Sequence, residues 1–276
     1  MAASRNVLWL VAAALLIYSP AYGQQTGSGL RSRPGVPGKL DFNRAAVAKL
    51  MSQNRYSEAI GLLEPVCREN PDRHDLAELL ARCYLRSGRP GEAASFLEER
   101  LALAPGRLAF VKELSSAYLD LGQKEKALDL WESLLGAEEE DAGRYGVVAS
   151  MQWEAGMHDL SIETLRRGAA FPGFFESYMR EIIRVQRVIG RHEEAFLTAV
   201  ELFEGTEDRM NRQPGILLET WREAGGQPRL LARVDSLGSF DSTSGRFFRI
   251  MGAILRARAG DFEPASRLVA GSDGSG

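Results

Sequence analysis

The side chains with the most evident capacity for chemistry in this chain are arginines. Arg180, Arg184, Arg187 and Arg191 fall at i, i+4, i+7 and i+11, a spacing that lays four guanidinium groups along one face of a helix. Arg82 and Arg86 repeat the four-residue interval earlier in the chain with Leu85 between them, and Leu119 and Trp153 take equivalent places further on. A planar guanidinium pairs bidentately with carboxylate or phosphate, and leucine or aromatic neighbours add apolar anchoring. This is chemistry for binding. The same stripes hold Glu78 and Glu181, so a solvated face of mixed charge is the competing reading.

Catalytic chemistry finds no comparable support. His74, His158 and His192 stand at expected helix starts and share no metal-ligand spacing, so they read as solvent-facing turn residues. Glu138 to Asp141 form an acidic run without a turn glycine, which reads as a solvated helix end and not as a calcium loop. Gly-x-Ser-x-Gly is absent, and Gly27-x-Gly29 has neither a preceding strand nor a phosphate-loop lysine. The expectation is a non-enzymatic protein with no cofactor and no metal. A net charge of -3 supplies no basic field to draw nucleic acid or anionic lipid.

The elements that position the arginines are set by a repeat. Asn54, Gly88, Gly122, Gly156 and Gly190 follow one another at intervals of 34 residues, and Glu58-Ala59, Glu92-Ala93, Lys126-Ala127 and Glu194-Ala195 follow four of them at one spacing. Ala77, Leu80, Ala81 and Tyr84 make one helical stripe before Gly88, while Ala93, Leu97 and Leu101 make another before Pro105. A glycine in mid-period between two helical stripes is the mark of stacked helix–turn–helix units.

Leu80-Ala81-x2-Tyr84…Ala93-x3-Leu97…Pro105 resembles the tetratricopeptide repeat, as does Leu114-Ser115-x2-Tyr118…Ala127-x3-Trp131 without the final proline. Ala59-x3-Leu63…Pro71 marks a first unit whose turn residue is Asn54. The resemblance implies an all-α fold, a right-handed superhelical solenoid of antiparallel helix pairs with about six to seven units. It spans Leu40 to Ala270, closest to the pattern through Leu135 and loosest beyond Phe203. In the fourth unit Ser161 replaces the crossing alanine and Gly168 weakens the second helix. A sixth unit runs from Ile216 to Leu237 with a slip at Gly225-Gly226, and Gly260 and Ala265 suggest a seventh.

Such a fold implies a partner-binding groove lined by the first helix of each unit, here with Arg82, Leu85, Arg86, Leu119, Trp153, Arg180, Arg184 and Arg187. The lysine and asparagine set with which some family members clamp a terminal carboxylate is not reproduced, because the matching positions carry Arg44, Ala48, Leu79, Arg82 and Arg86. The expected partner is a protein or peptide segment; the alternative is an acidic envelope polysaccharide or other anionic polymer.

Residues 1–23 read as a signal peptide, with Arg5, an apolar run from Val7 to Tyr18 and small residues around Ala21-Tyr22-Gly23. That run is too short for a span, which needs about 20 residues. An uncleaved anchor and a chance apolar start are the other readings. Residues 24–39 form a Gly/Pro-rich linker, 40–270 the solenoid, and 271–276 a tail or a point of truncation. The expected location is exported, periplasmic or outer-membrane-associated in a bacterium. Cys67 and Cys83 are expected to be buried and unbridged, since helix register offsets them by about five residues, or ~7 Å.

Overall fold

The computed structural model describes residues 39–136, 141–204, 215–240 and 242–260. The expected signal peptide, the expected linker up to Gly38, residues Glu138 to Glu140 of the acidic run and the expected tail lie outside the described residues. Thirteen α-helices and no strand occur among the described residues. The chain divides into two compact units, within Met1–Ala137 and Glu138–Gly276.

The first unit holds three helix pairs: α1 (Lys39–Ser52) with α2 (Tyr56–Glu69), α3 (His74–Arg86) with α4 (Pro90–Leu103), and α5 (Leu108–Asp120) with α6 (Lys124–Leu135). Each pair turns on a left-handed residue, Asn54 at φ 57°, Gly88 at 75° and Gly122 at 71°, the region a side chain normally penalises. The next residue then donates its N–H to a carbonyl five residues back: Arg55 to Leu50 at 2.9 Å, Arg89 to Tyr84 at 2.9 Å and Gln123 to Tyr118 at 2.8 Å. This closes the helix end and reverses the chain.

Ala59, Ala93 and Ala127 are fully buried where the two helices of a pair cross, and Leu63, Leu80, Leu97 and Phe110 fill the layers between pairs. Neighbouring pairs are also joined by polar bonds. The Tyr84 hydroxyl donates to Glu64 Oε1 at 2.7 Å and the Tyr118 hydroxyl to Glu98 Oε1 at 2.8 Å, each carboxylate lying 20 residues back on the preceding pair's second helix. Arg100 donates to the carbonyls of Cys67 at 2.8 Å and Pro71 at 2.9 Å, satisfying oxygens at a helix C-terminus. Cys67 and Cys83 are buried and free, as expected, and burial raises both thiols to about 11.

The second unit continues with α7 (Gly143–Glu154), α8 (His158–Ala169), α9 (Phe175–Val188), α10 (His192–Glu204), α11 (Gly215–Glu223), α12 (Leu231–Gly238) and α13 (Thr243–Arg258). Gly156 and Gly190 make the same left-handed turns, and Ala195 is fully buried. The sixth pair is compressed. Its helices have 9 and 8 residues, separated by two consecutive left-handed glycines, Gly225 and Gly226, and a 3-10 turn at Pro228–Leu230. The seventh pair is represented by α13; Ala265 lies outside the described residues.

The fourth pair departs from expectation. Gly168 and Ser161 are packing devices and not signs of decay. Ser161 is buried and its hydroxyl donates to the Ala149 carbonyl at 2.8 Å. A Cβ on Gly168 would stand 2.7 Å from Tyr178 Cε2 and 2.8 Å from Tyr145 Cβ. The glycine is what lets the Tyr178 ring enter between α7 and α8, where its hydroxyl donates to the Ala142 carbonyl and accepts from the Gly146 N–H at 3.1 Å. None of the described helices is long and apolar enough to cross a membrane.

Candidate partner-binding surface

In the first unit the predicted contact residues sit on two neighbouring first helices, with Arg82, Leu85 and Arg86 on α3 and Leu119 on α5. Leu85 and Leu119 are half-buried against the core. Arg82 is not a free cation. Its Nε donates to Glu113 of α5 at 2.8 Å and its second arm reaches Glu78 on its own helix. Burial opposes its charge, but the Glu113 hydrogen bond and the two carboxylates outweigh that and hold the guanidinium protonated. A second tie joins Arg44 of α1 to Asp75 at 3.4 Å. The Asp75 carboxyl is pulled down to about 2, chiefly by the Arg73 hydrogen bond. Arg86 is exposed, and no described carboxylate lies within ion-pairing distance of it.

In the second unit Trp153 lies in the last turn of α7, half-buried, with its ring 4.3 Å from that of His158. The arginine row of α9 has the predicted spacing, and every member is engaged. Arg180 pairs with Glu176 at 3.0 Å, and Arg184 Nε donates to Glu181 at 2.9 Å. Arg187 grips both oxygens of Glu223 on α11 at 2.7 and 2.6 Å, with Glu219 at 3.7 Å. Arg191 reaches across to Asp159 at the start of α8. The geometry therefore gives a face of paired charge, and an incoming anion has to displace or share these carboxylates.

The histidines require a correction. They do begin α3, α8 and α10, but they are half-buried and not solvent-facing, each with a buried Nδ1. His74 lies edge-on to Phe110 at 5.7 Å, and His192 Nδ1 stands 3.7 Å from Glu223. Of the acidic run only Asp141 is described; it accepts the Gly143 N–H at 2.9 Å. No group of three or more metal-ligating side chains gathers among the described residues.

Two features escaped the sequence reading. The carboxylates Glu113 and Glu223 stand 31 and 36 residues from the arginines they neutralise, beyond the range of a helix-neighbour search. Ile250 and Ile254 of α13 are exposed at 39% and 36%. Counting back from Gly260 as from Gly190 would have found them, because they stand where Arg180 and Arg184 stand on α9.

Residues 50–101 match a family model described as tetratricopeptide repeat. No curated protein matches the chain. Among solved structures, a thermophilic TPR protein of Thermus thermophilus is 19% identical, covers 66% of this chain and 97% of its own, and gives a TM-score of 0.39. TPR-like repeats of a putative kinesin light chain from Podosopora anserina are 22% identical over 64% of this chain and 99% of that one, with a TM-score of 0.41. A structure of MamA protein is 18% identical over 67% and 92%, with a TM-score of 0.38. The family match falls on the stretch that carries Ala59, Leu80-Ala81, Tyr84 and Ala93. The left-handed turn and buried crossing alanine found there return at Gly122 with Ala127 and at Gly190 with Ala195, so helix pairs beyond the matched residues repeat the geometry of the tetratricopeptide-like stretch at 50–101.

Proposed function

We propose that this chain is a non-catalytic interaction scaffold, exported to a bacterial cell envelope, which holds a protein segment against the first-helix faces of its repeats. Tetratricopeptide repeats are in general surfaces for binding other proteins, and the leader-like residues 1–23 support export. The observation that carries the choice of a protein partner is the state of the arginines. Arg82, Arg180, Arg184 and Arg187 are each already paired with a carboxylate, which weakens them as a track for an acidic polymer. Paired charge on helices that also carry half-buried apolar side chains, Leu85 and Leu119 in the first unit and Trp153 in the second, suits in each unit a segment that offers both apolar and polar groups.

The test is crosslinking and pull-down from the native envelope with the chain beginning at Gln24. The expected result is a protein partner whose recovery drops when Arg82, Arg86 and Leu119 are replaced together by alanine, the helical signal being unchanged. Recovery of polysaccharide without protein would replace this reading with the polymer one. Retention of the chain in the cytoplasm would sink the envelope assignment.

A further inference from the structure

The exposed stripe of α13 has a composition unlike the other first helices of its unit. Arg246, Ile250, Ile254 and Arg258 follow one another at intervals of four and are all exposed, while Phe247, Phe248, Met251 and Leu255 on the opposite side are buried. The two isoleucines lie one turn apart, about 6 Å along the axis, and the arginines bracket them about 18 Å apart. The neighbouring arginines of α13 are occupied: Arg256 holds Asp235, and Arg249 donates to the Gly238 carbonyl at 3.1 Å. The side chains of Arg246 and Arg258 make no ion pair or hydrogen bond with any described residue. On α9, by contrast, the corresponding face is closed by Glu176, Glu181 and Glu223.

We infer that the Arg246–Ile250–Ile254–Arg258 stripe is the specificity-determining dock of this protein, and that its occupant is a segment of another protein with an aliphatic centre flanked at both ends by carboxylates. The inference rests on the scaffold reading and narrows it to one helix and one partner chemistry. Charge complementarity selects the occupant. Two guanidinium groups without a carboxylate partner among the described residues, at the ends of an apolar pair, favour carboxylates at matching distance and disfavour a basic segment. The isoleucines supply the water-excluded contact that such a pairing needs to be worth more than a surface ion pair.

The probe is a fluorescein-labelled helical peptide of 16 residues or so, with two leucines one turn apart and a glutamate pair beyond each, titrated into the full chain by fluorescence anisotropy. Binding should weaken at least tenfold in Ile250→Ser/Ile254→Ser, with the circular dichroism unchanged because both side chains are exposed. Arg246→Glu/Arg258→Glu should also lose the peptide and should regain binding to a version whose glutamates are lysines. Arg166→Ala/Arg233→Ala, exposed on second helices away from the groove residues, should bind as the unaltered chain does. Failure of the charge swap to rescue, or equal binding by the isoleucine variant, overturns the assignment. A chain ending at Gly260 that binds at least tenfold more tightly than the full one also overturns it, because residues 261–276 would then be the occupant. If the envelope pull-down keeps its partner while the peptide ignores α13, only this inference fails; if both come up empty, the scaffold reading fails with it.

Discussion

Replacing Gly168 with alanine separates two opposite expectations. A glycine inside α8 should weaken that helix, so alanine would contribute about 0.8–1.0 kcal/mol of helix propensity. The structure points the other way. The new methyl would fall 2.7 Å from the Tyr178 ring and 2.8 Å from Tyr145 Cβ, and a Cβ cannot swing aside without carrying the α7 backbone with it. Overpacking typically costs about 1–3 kcal/mol, and the rigid contact places this site in the upper part of that range. Set against the propensity gain, the net loss is about 1–2 kcal/mol. Gly61→Ala is the control, since Gly61 lies inside α2, is exposed, and has nothing within 4 Å of an added Cβ. It should gain up to about 1 kcal/mol. Urea unfolding followed by ellipticity and tryptophan fluorescence should therefore move the two variants in opposite directions. A Gly168→Ala protein as stable as the unaltered one, or more stable, refutes the close-packing argument and restores the view of a weakened repeat.

The raised thiols of Cys67 and Cys83 should leave both inert to a chromogenic disulfide reagent at neutral pH in the folded chain and reactive once guanidinium is added; reaction of the native protein would contradict their burial. Arg187→Ala should destabilise by about 1 kcal/mol or less, given that its partner Glu223 is partly exposed. Glu223 is held below the usual carboxylate range, first by the Arg187 hydrogen bond and less by His192 and Arg222. The stabilisation it provides is thus present above the ordinary glutamate value and lost as pH falls through the depressed one. The difference between Arg187→Ala and the unaltered chain should accordingly be full near neutrality and vanish in acid, and a gap that widens on acidification would show that the ion pair is not its source.

What the sequence makes legible here is whatever repeats or lies within one helical turn. Asn54 and the glycines at one period fall in left-handed turns because only such residues reverse the chain there, and the alanines after them are buried because no larger side chain fits the crossing. The arginine rows were legible as rows. Their neutralisation was not, because Glu113 and Glu223 arrive from the next helix pair, and the offset of 31 or 36 residues is fixed by stacking and not by helical periodicity. Gly168 was misread for the same reason: Tyr145 and Tyr178, which need its missing side chain, belong to other helices. Ile250 and Ile254 escaped notice because the pattern around Gly260 is loose, although the register that locates Arg180 and Arg184 locates them too.

The paired tyrosine bonds of the first unit bear on how such a chain can change its length. Tyr84 to Glu64 and Tyr118 to Glu98 are one joint made twice, with the same donor, acceptor and interval of 20 residues. A module excised or copied between equivalent points of the period would present to its new neighbour the tyrosine and glutamate that its old neighbour presented. Duplication of residues 71–104, for example, would recreate at the seam the joint it interrupts, with no compensating substitution. The first unit can thus be lengthened or shortened by whole modules without the invention of a new interface, whereas the second, with Gln152 and Gln186 at the tyrosine positions, lacks this joint.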